Sequence, residues 1–148
     1  MSISLIYHAF GIKSKYDFIK HEFKQGAVFF SIEKPLCECQ CSNCGSYKVR
    51  GRGKRPRTFR NIPIGSKATY IVLNVHRLEC LECGKILQEQ IAFSNCQERY
   101  TKIFGRYVLE LSKEMTISAI ASHLGVSWDL IKGIQKKYLQ KKYAQSSV

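Results

Sequence analysis

Residues 41–45 read CSNCG and residues 80–84 read CLECG, so one five-residue pattern occurs twice in this chain. In each copy the two cysteines have the i, i+3 spacing that lets both thiolates bind one ion from a tight turn. The glycine that follows can adopt a positive φ, which directs backbone amides toward the sulfur atoms. Two such turns supply the four ligands of a tetrahedral site. The pattern predicts one zinc ion bound by Cys41, Cys44, Cys80 and Cys83.

Four thiolates suit zinc, which has no redox chemistry, and a filled coordination shell leaves no position for a reacting water. We therefore expect a structural site and not a catalytic one. Two alternatives are free buried cysteines and a thioredoxin-like redox pair. Free cysteines are common singly but not as a matched pair of turns, and the redox pair needs βαβ surroundings that the sequence lacks.

Three further cysteines and one histidine fall outside the pattern. Cys37 and Cys39 lie near enough to replace a ligand of the first turn, but neither has the i, i+3 spacing to its second cysteine. We expect both to be spare thiols. Cys96 is expected to pack in or just before the first helix of the C-terminal part, and His76 to lie on a strand face without binding metal.

The chain is strongly basic, with 24 lysines and arginines against 11 acidic residues and a net charge of +13. Such a field attracts polyanions, nucleic acid first. Residues 48–60 carry no acidic residue and are broken by glycines and a proline, which predicts an exposed turn that can follow a phosphate backbone. The alternative is a solvated loop that binds nothing. The basic residues of this stretch are Lys48, Arg50, Arg52, Lys54, Arg55, Arg57 and Arg60.

Residues 18–24 and 27–33 are rich in aromatic and β-branched residues and flank Gln25-Gly26, which predicts a hairpin. Residues 68–80 alternate strongly and predict a strand, and residues 85–93 are expected to run back beside it. After residue 94 the apolar period becomes helical. We expect a first helix capped by Ser94 or Asn95, with an apolar stripe formed by Tyr100, Ile103, Phe104, Tyr107, Val108 and Leu111.

Residues 115–138 fit a helix-turn-helix. Thr116 should cap a helix over 117–125, Ser127 a second over 128–143, and Gly125 the turn between them. Ala121 is small where the helices cross. The expected core residues are Ile120, Leu124, Val126, Ile131 and Ile134; the expected groove-facing residues are Ser127, Trp128, Asp129, Lys132, Gln135 and Lys136. An ordinary helical hairpin remains an alternative to this motif. Trp128 is unusual for a groove residue, and packing against the preceding helix is the alternative for its side chain.

The expected fold class is α+β: a β-hairpin region at 1–36, a small zinc ribbon at 37–93, a three-helix helix-turn-helix domain at 94–143 and a frayed tail at 144–148. No apolar stretch approaches the ~18 residues of a membrane span, and the first residues lack the order of a signal peptide. We expect a cytoplasmic, nucleoid-associated protein with no membrane partner.

The order of these parts resembles the N-terminal half of insertion-sequence transposases of the ISL-three (ISL3) family. The matching text includes CSNCGS (41–46), RTFRNIPIG (57–65), HRLECLECG (76–84) and ERYTKIFGRY (98–107), continuing through the helix pair to about residue 143. The resemblance implies that the ribbon and the helix-turn-helix recognise the element's terminal inverted repeats. A separate RNase H-like domain would cut and join strands. This chain stops at Val148, where that domain would begin, so we expect no enzymatic activity.

Sequence-specific binding of double-stranded DNA is thus the leading hypothesis. A zinc-ribbon protein that binds RNA or the ribosome is the alternative that the basic stretch alone supports, but an A-form major groove is too narrow for a recognition helix. A metal-dependent nuclease needs carboxylate clusters or an open metal position, and the sequence indicates neither. Self-association stays open.

Overall fold

The computed structural model describes residues 3–12, 15–95 and 98–146. It divides into two compact units, Met1–Lys102 and Ile103–Val148. Among the described residues, the first unit holds a mixed β-sheet, one α-helix and a short 3-10 helix (Leu36–Glu38), and the second consists of helices, so the α+β class is confirmed. Cys96 lies outside the described residues. No helix in the described ranges is long and apolar enough to cross a membrane.

Five strands form the sheet of the first unit: β1 (Asp17–Lys24), β2 (Ala27–Glu33), β3 (Val49–Ile64), β4 (Lys67–Cys80) and β5 (Ile86–Gln88). Their order is β1-β2-β4-β3, with β5 also paired to β4. The predicted hairpin is confirmed: β1 and β2 are antiparallel. Gln25 and Gly26 connect them with φ values of 52° and 77°, the doubly positive turn that suits the twist of a hairpin. β2 runs parallel to β4, so the hairpin and the ribbon share one sheet.

The basic stretch is strand and not the exposed turn that its glycines predicted. Most of β3 pairs antiparallel with β4, with a register shift between Gly51 and Lys54. Gly53 has a φ of 102° there. The glycines therefore lie at an irregularity of the strand and do not end it. Pro56 is tolerated because β3 lies at the sheet edge, where some backbone N–H groups face away from any partner. The prediction failed because the long partner strand β4 outweighs local turn propensity.

The core of the first unit lies on one face of the sheet. Ile71, Leu73 and Val75 of β4 are buried together with Phe30 and Phe59, and β4 itself is the strand that the alternation of residues 68–80 predicts. The helix α1 (Ile3–Phe10) belongs to the same cluster, with the rings of Phe10 and Phe30 centred 5.4 Å apart. The sequence pattern did not predict this helix, because eight residues are too few to show a clear helical period.

Three helices follow: α2 (Lys102–Leu111), α3 (Ile117–Leu124) and α4 (Trp128–Ser146). The predicted caps of α3 and α4 are confirmed, since Ala119 N and Leu130 N donate to the hydroxyls of Thr116 and Ser127, each at 3.2 Å. Gly125 ends α3 with a φ of 66°, a left-handed conformation that glycine adopts without strain.

The predicted cap of the first of these helices is wrong. Ser94 and Asn95 lie before α2, whose first residue is Lys102. The Ser94 hydroxyl donates to Tyr100 O at 2.7 Å, and the Asn95 side chain donates to Glu98 Oε2 at 2.9 Å. Both polar side chains therefore stabilise the turn that precedes the helix.

Candidate metal centre and nucleic-acid interface

The two cysteine turns, residues 41–45 and 80–84, have the same local structure. Gly45 N donates to Cys41 O at 2.9 Å, and Gly84 N donates to Cys80 O at 3.0 Å. Both glycines have positive φ, 76° and 73°. In each turn a backbone N–H also donates to the first sulfur atom, from Asn43 to Cys41 and from Cys83 to Cys80, both at 3.4 Å. The repeated pentapeptide thus builds the same amide-lined sulfur site twice.

The pairing of β3 with β4 brings the two turns together. Val49 lies opposite Cys80, and Leu81 N donates to Lys48 O at 2.9 Å. The sulfur atoms of the four cysteines all lie within 4.8 Å of one another. The Cys41–Cys83 and Cys44–Cys80 sulfur pairs are 3.6 and 3.5 Å apart.

These separations fit a tetrahedral zinc site. Zinc–sulfur bonds of about 2.3 Å place tetrahedral sulfur ligands about 3.8 Å apart, and the Cys41–Cys83 and Cys44–Cys80 sulfur pairs lie slightly inside that distance. Four sulfur donors at these distances form a ligand set that prefers zinc over harder cations.

The electrostatics of the four thiols also favour a cation. Backbone N–H donors in and just after the turns lower the pKa of Cys41, Cys80 and Cys83. The backbone N–H of Ser46 lowers the pKa of Cys44 too, but the Cys80 sulfur, desolvation and the other thiols together raise it to about 12. Contact with the other three sulfur atoms thus favours the protonated form of Cys44. A divalent cation would supply the missing positive charge and displace that proton.

Six of the seven basic residues on β3 and just before it are at least partly exposed. Three of them form ion pairs: Lys48 with Glu82, Arg52 with Glu79 and Lys54 with Glu33. Arg50 and Arg55 are exposed, and their side chains have no hydrogen-bond or ion-pair partner in the described part of the chain. These two guanidinium groups can therefore bind an external anion without breaking an internal contact.

Arg60 and Arg57 are less available than the sequence suggested. The Arg60 side chain is buried at 7% exposure, with its guanidinium 5.4 Å from the ring centre of Tyr70. Its position opposite Tyr70 in the β3–β4 register explains this burial. Arg57 is half-buried over Phe59 and donates to Glu98 O at 3.2 Å. Arg60 thus cannot reach a phosphate as an exposed loop residue would.

The second unit holds α3 against α4 through the residues predicted for its core. Ile120, Leu124, Ile131 and Ile134 are buried, as is the small Ala121. Val126 is half-buried rather than buried, and its N–H donates to Ala121 O at 3.0 Å. The apolar periodicity of residues 117–134 therefore gave the correct buried face.

The first turns of α4 present a polar face to solvent. Gln135 is half-buried, and the Lys132 ammonium lies 5.0 Å from the centre of the Trp128 ring. Trp128 keeps 44% exposure, so burial against the preceding helix does not account for it. The exposed residues of this face are Ser127, Trp128, Asp129, Lys132 and Lys136.

A second polar cluster was missed by the sequence analysis. Cys39, His76 and Glu89 are all buried, and one ligand atom from each lies within 4.8 Å of the other two. Burial raises the pKa of Cys39 to about 12 and also raises the pKa of Glu89. No sequence signal joins the three residues, because they lie on different segments and have no metal-site spacing. Cys37, in contrast, is exposed.

Two family descriptions match the chain. Residues 38–83 match the zinc-finger of transposase IS204/IS1001/IS1096/IS1165, and residues 97–139 match the helix-turn-helix domain of transposase family ISL3. No curated protein and no solved structure matches the chain. Both matched domains are DNA-binding parts of a transposase, and no catalytic domain is detected. The chain therefore belongs to the ISL3 family of transposases, of which it carries the zinc-ribbon and helix-turn-helix domains.

Proposed function

We propose that this chain is a sequence-specific double-stranded DNA-binding module that recognises the terminal inverted repeats of its element. The observation that carries the proposal is the two-sided character of α4. One side is held on the core by Ile131 and Ile134, and the other exposes Trp128 and Lys132 beside a capped N-terminus. A recognition helix needs this combination to enter a major groove by its first turns.

The base-contacting residues would lie on this exposed side of α4. A lysine ammonium donates to base acceptors in the major groove, whereas glutamine and serine side chains can both donate to and accept from base edges there. α2, α3 and α4 together would form the three-helix domain, over about residues 94–143. The residues assigned to the groove are Ser127, Trp128, Asp129, Lys132, Gln135 and Lys136.

Phosphate contacts would come from β3. Arg50 and Arg55 are the first choice, because no internal partner must be displaced. Lys48, Arg52 and Lys54 can exchange a surface carboxylate for a phosphate at small cost, since exposed ion pairs contribute only ~0–1 kcal/mol. Arg57 would contribute from the margin, and burial removes Arg60 from the interface. Such contacts set affinity and register but carry no sequence information.

The four cysteines of the ribbon, at 37–93, would hold one structural zinc ion. When bound, zinc supplies four thiolate bonds and no open coordination position. Cys41 and Cys44 precede β3, and Cys80 and Cys83 lie at and after the end of β4. The ion would therefore clamp the end of the ribbon opposite the β3–β4 turn and hold the basic strand rigid. Rigidity lowers the entropy that the strand loses on binding a phosphate backbone.

Selection from a pool of random duplexes tests the proposal. The enriched sequence should match repeats that flank the gene of this chain. Binding to such chromosomal repeats would associate the protein with the nucleoid. Affinity for that duplex should exceed affinity for a scrambled duplex and for a structured RNA at the same salt concentration. Equal affinity for all three would refute specific recognition, and preference for the RNA would favour a ribosome-associated or RNA-binding role.

A further inference from the structure

A second group of metal-binding side chains lies in the first unit and shares no residue with the ribbon site. It consists of Cys39, before the first cysteine turn, His76 on β4 and Glu89 just after β5. All three are buried, and one ligand atom from each lies within 4.8 Å of the others. We propose that these three residues bind a second zinc ion.

The carboxylate of Glu89 is the strongest sign of an absent cation. Its Oε2 atom accepts hydrogen bonds from His76 N at 3.2 Å and from the Cys39 thiol at 3.5 Å. Its Oε1 atom is buried without a hydrogen-bond partner among the described residues, and the side chain is only 4% exposed. A buried carboxylate oxygen without a partner is costly. A metal ion bound to Oε1 would remove that cost.

His76 makes the kind of outer hydrogen bond that metal-binding histidines make. Its Nε2 atom lies 2.8 Å from Lys34 O. Because a carbonyl oxygen only accepts, the ring must donate there, and in the neutral tautomer that does so Nδ1 carries the lone pair that a metal ion can bind. Histidines that bind metal commonly donate their other N–H to a backbone carbonyl, which fixes the tautomer and the ring orientation. His76 already has this outer contact.

The distances and the donor atoms suit zinc. Bonds of about 2.3 Å to sulfur and about 2.0 Å to oxygen place a tetrahedral sulfur–oxygen pair about 3.5 Å apart. The Cys39 sulfur is 3.5 Å from the Oε2 atom of Glu89, so an ion that binds both oxygens of this carboxylate would meet the thiolate at that spacing. A thiolate, an imidazole and a carboxylate together favour zinc over magnesium or calcium, which prefer oxygen ligands alone. Binding would release the Cys39 proton and leave a fourth position for a water or a carbonyl oxygen.

The second ion would connect three segments that are distant in the sequence. Cys39 and Glu89 are 50 residues apart in the sequence. A bond from Cys39 to an ion shared with β4 would fix the direction from which the chain enters the ribbon. Cys39 would then be a ligand in its own right and not a spare thiol.

Zinc stoichiometry tests the proposal. The full chain is loaded with excess Zn²⁺, freed of unbound metal by gel filtration and weighed by native mass spectrometry. We expect two zinc ions in the unaltered protein and in Cys37→Ser, which removes an exposed thiol nearby. We expect one in Glu89→Gln and in His76→Ala. A protein that binds one zinc ion, unchanged by Glu89→Gln, would show that the cluster is only a hydrogen-bonded network.

A Co²⁺ titration of the zinc-free protein needs no variant that could fail to fold. Thiolate-to-cobalt absorption should continue to rise to two equivalents, and a plateau at one equivalent would overturn the second site. The experiments can refute the ribbon site and the second site independently of each other. One ion that is lost in Cys80→Ser but kept in Glu89→Gln leaves only the ribbon site, whereas the reverse pattern supports the second site and refutes the ribbon. No bound ion refutes both.

Discussion

The salt dependence of DNA binding measures the proposed phosphate contacts on β3 directly. Arg50 and Arg55 are exposed without an internal partner, so each can contribute one full phosphate contact. Each contact adds about 0.9 to the magnitude of the slope of log K against log salt. The double variant Arg50→Ala/Arg55→Ala should therefore have a slope smaller by about 1.8. Between about 50 and about 200 mM salt, the unaltered protein should lose about 12-fold more affinity than the variant.

Fluorescence anisotropy with a labelled duplex across a salt series gives both slopes. The loss should be the same for specific and scrambled duplexes, because phosphate contacts carry no sequence information. The matched control is Lys20→Ala/Lys113→Ala, which removes the same net charge from two residues that are paired with Glu22 and Glu110. An unchanged slope in the arginine variant, or an equal decrease in the control, would refute the assignment of these contacts to β3.

Three further predictions concern the metal, a helix cap and base recognition. Cys80→Ser, or chelation, should abolish cooperative thermal unfolding of the first unit, because structural zinc contributes ~10 kcal/mol or more in small zinc domains; melting that matches the Cys37→Ser control would contradict the ribbon. Thr116→Ala should lower the free energy of unfolding by about 1 kcal/mol in urea denaturation, and an equal loss in Ser122→Ala, within the same helix, would argue against the cap. Lys132→Ala should change the preferred DNA sequence and leave the salt slope of DNA binding nearly unchanged. If Arg55→Ala changed the preferred sequence instead, the assignment of base contacts and phosphate contacts would be reversed.

Most of the features that could be predicted from the sequence depend on residues that are close together in the chain. The repeated pentapeptide, the hairpin at Gln25-Gly26 and the caps at Thr116 and Ser127 all depend on residues within a few positions of one another. Side-chain period was also sufficient to predict the strand β4 and to identify the buried face of α4. The spacing of residues along the chain determines such turns, caps and buried faces, so they can be predicted from the sequence.

The features that were missed depend on contacts between distant segments. β3 is a strand because β4 offers it a long partner, although its own residues favour a turn. Arg60 is buried because that register places it beside Tyr70. Cys39, His76 and Glu89 meet because three segments converge at the end of the sheet. The sequence by itself determined the two cysteine turns and the helix pair, whereas only the tertiary structure decided which basic side chains stay exposed and which polar ones meet, because burial is set by the partner strand.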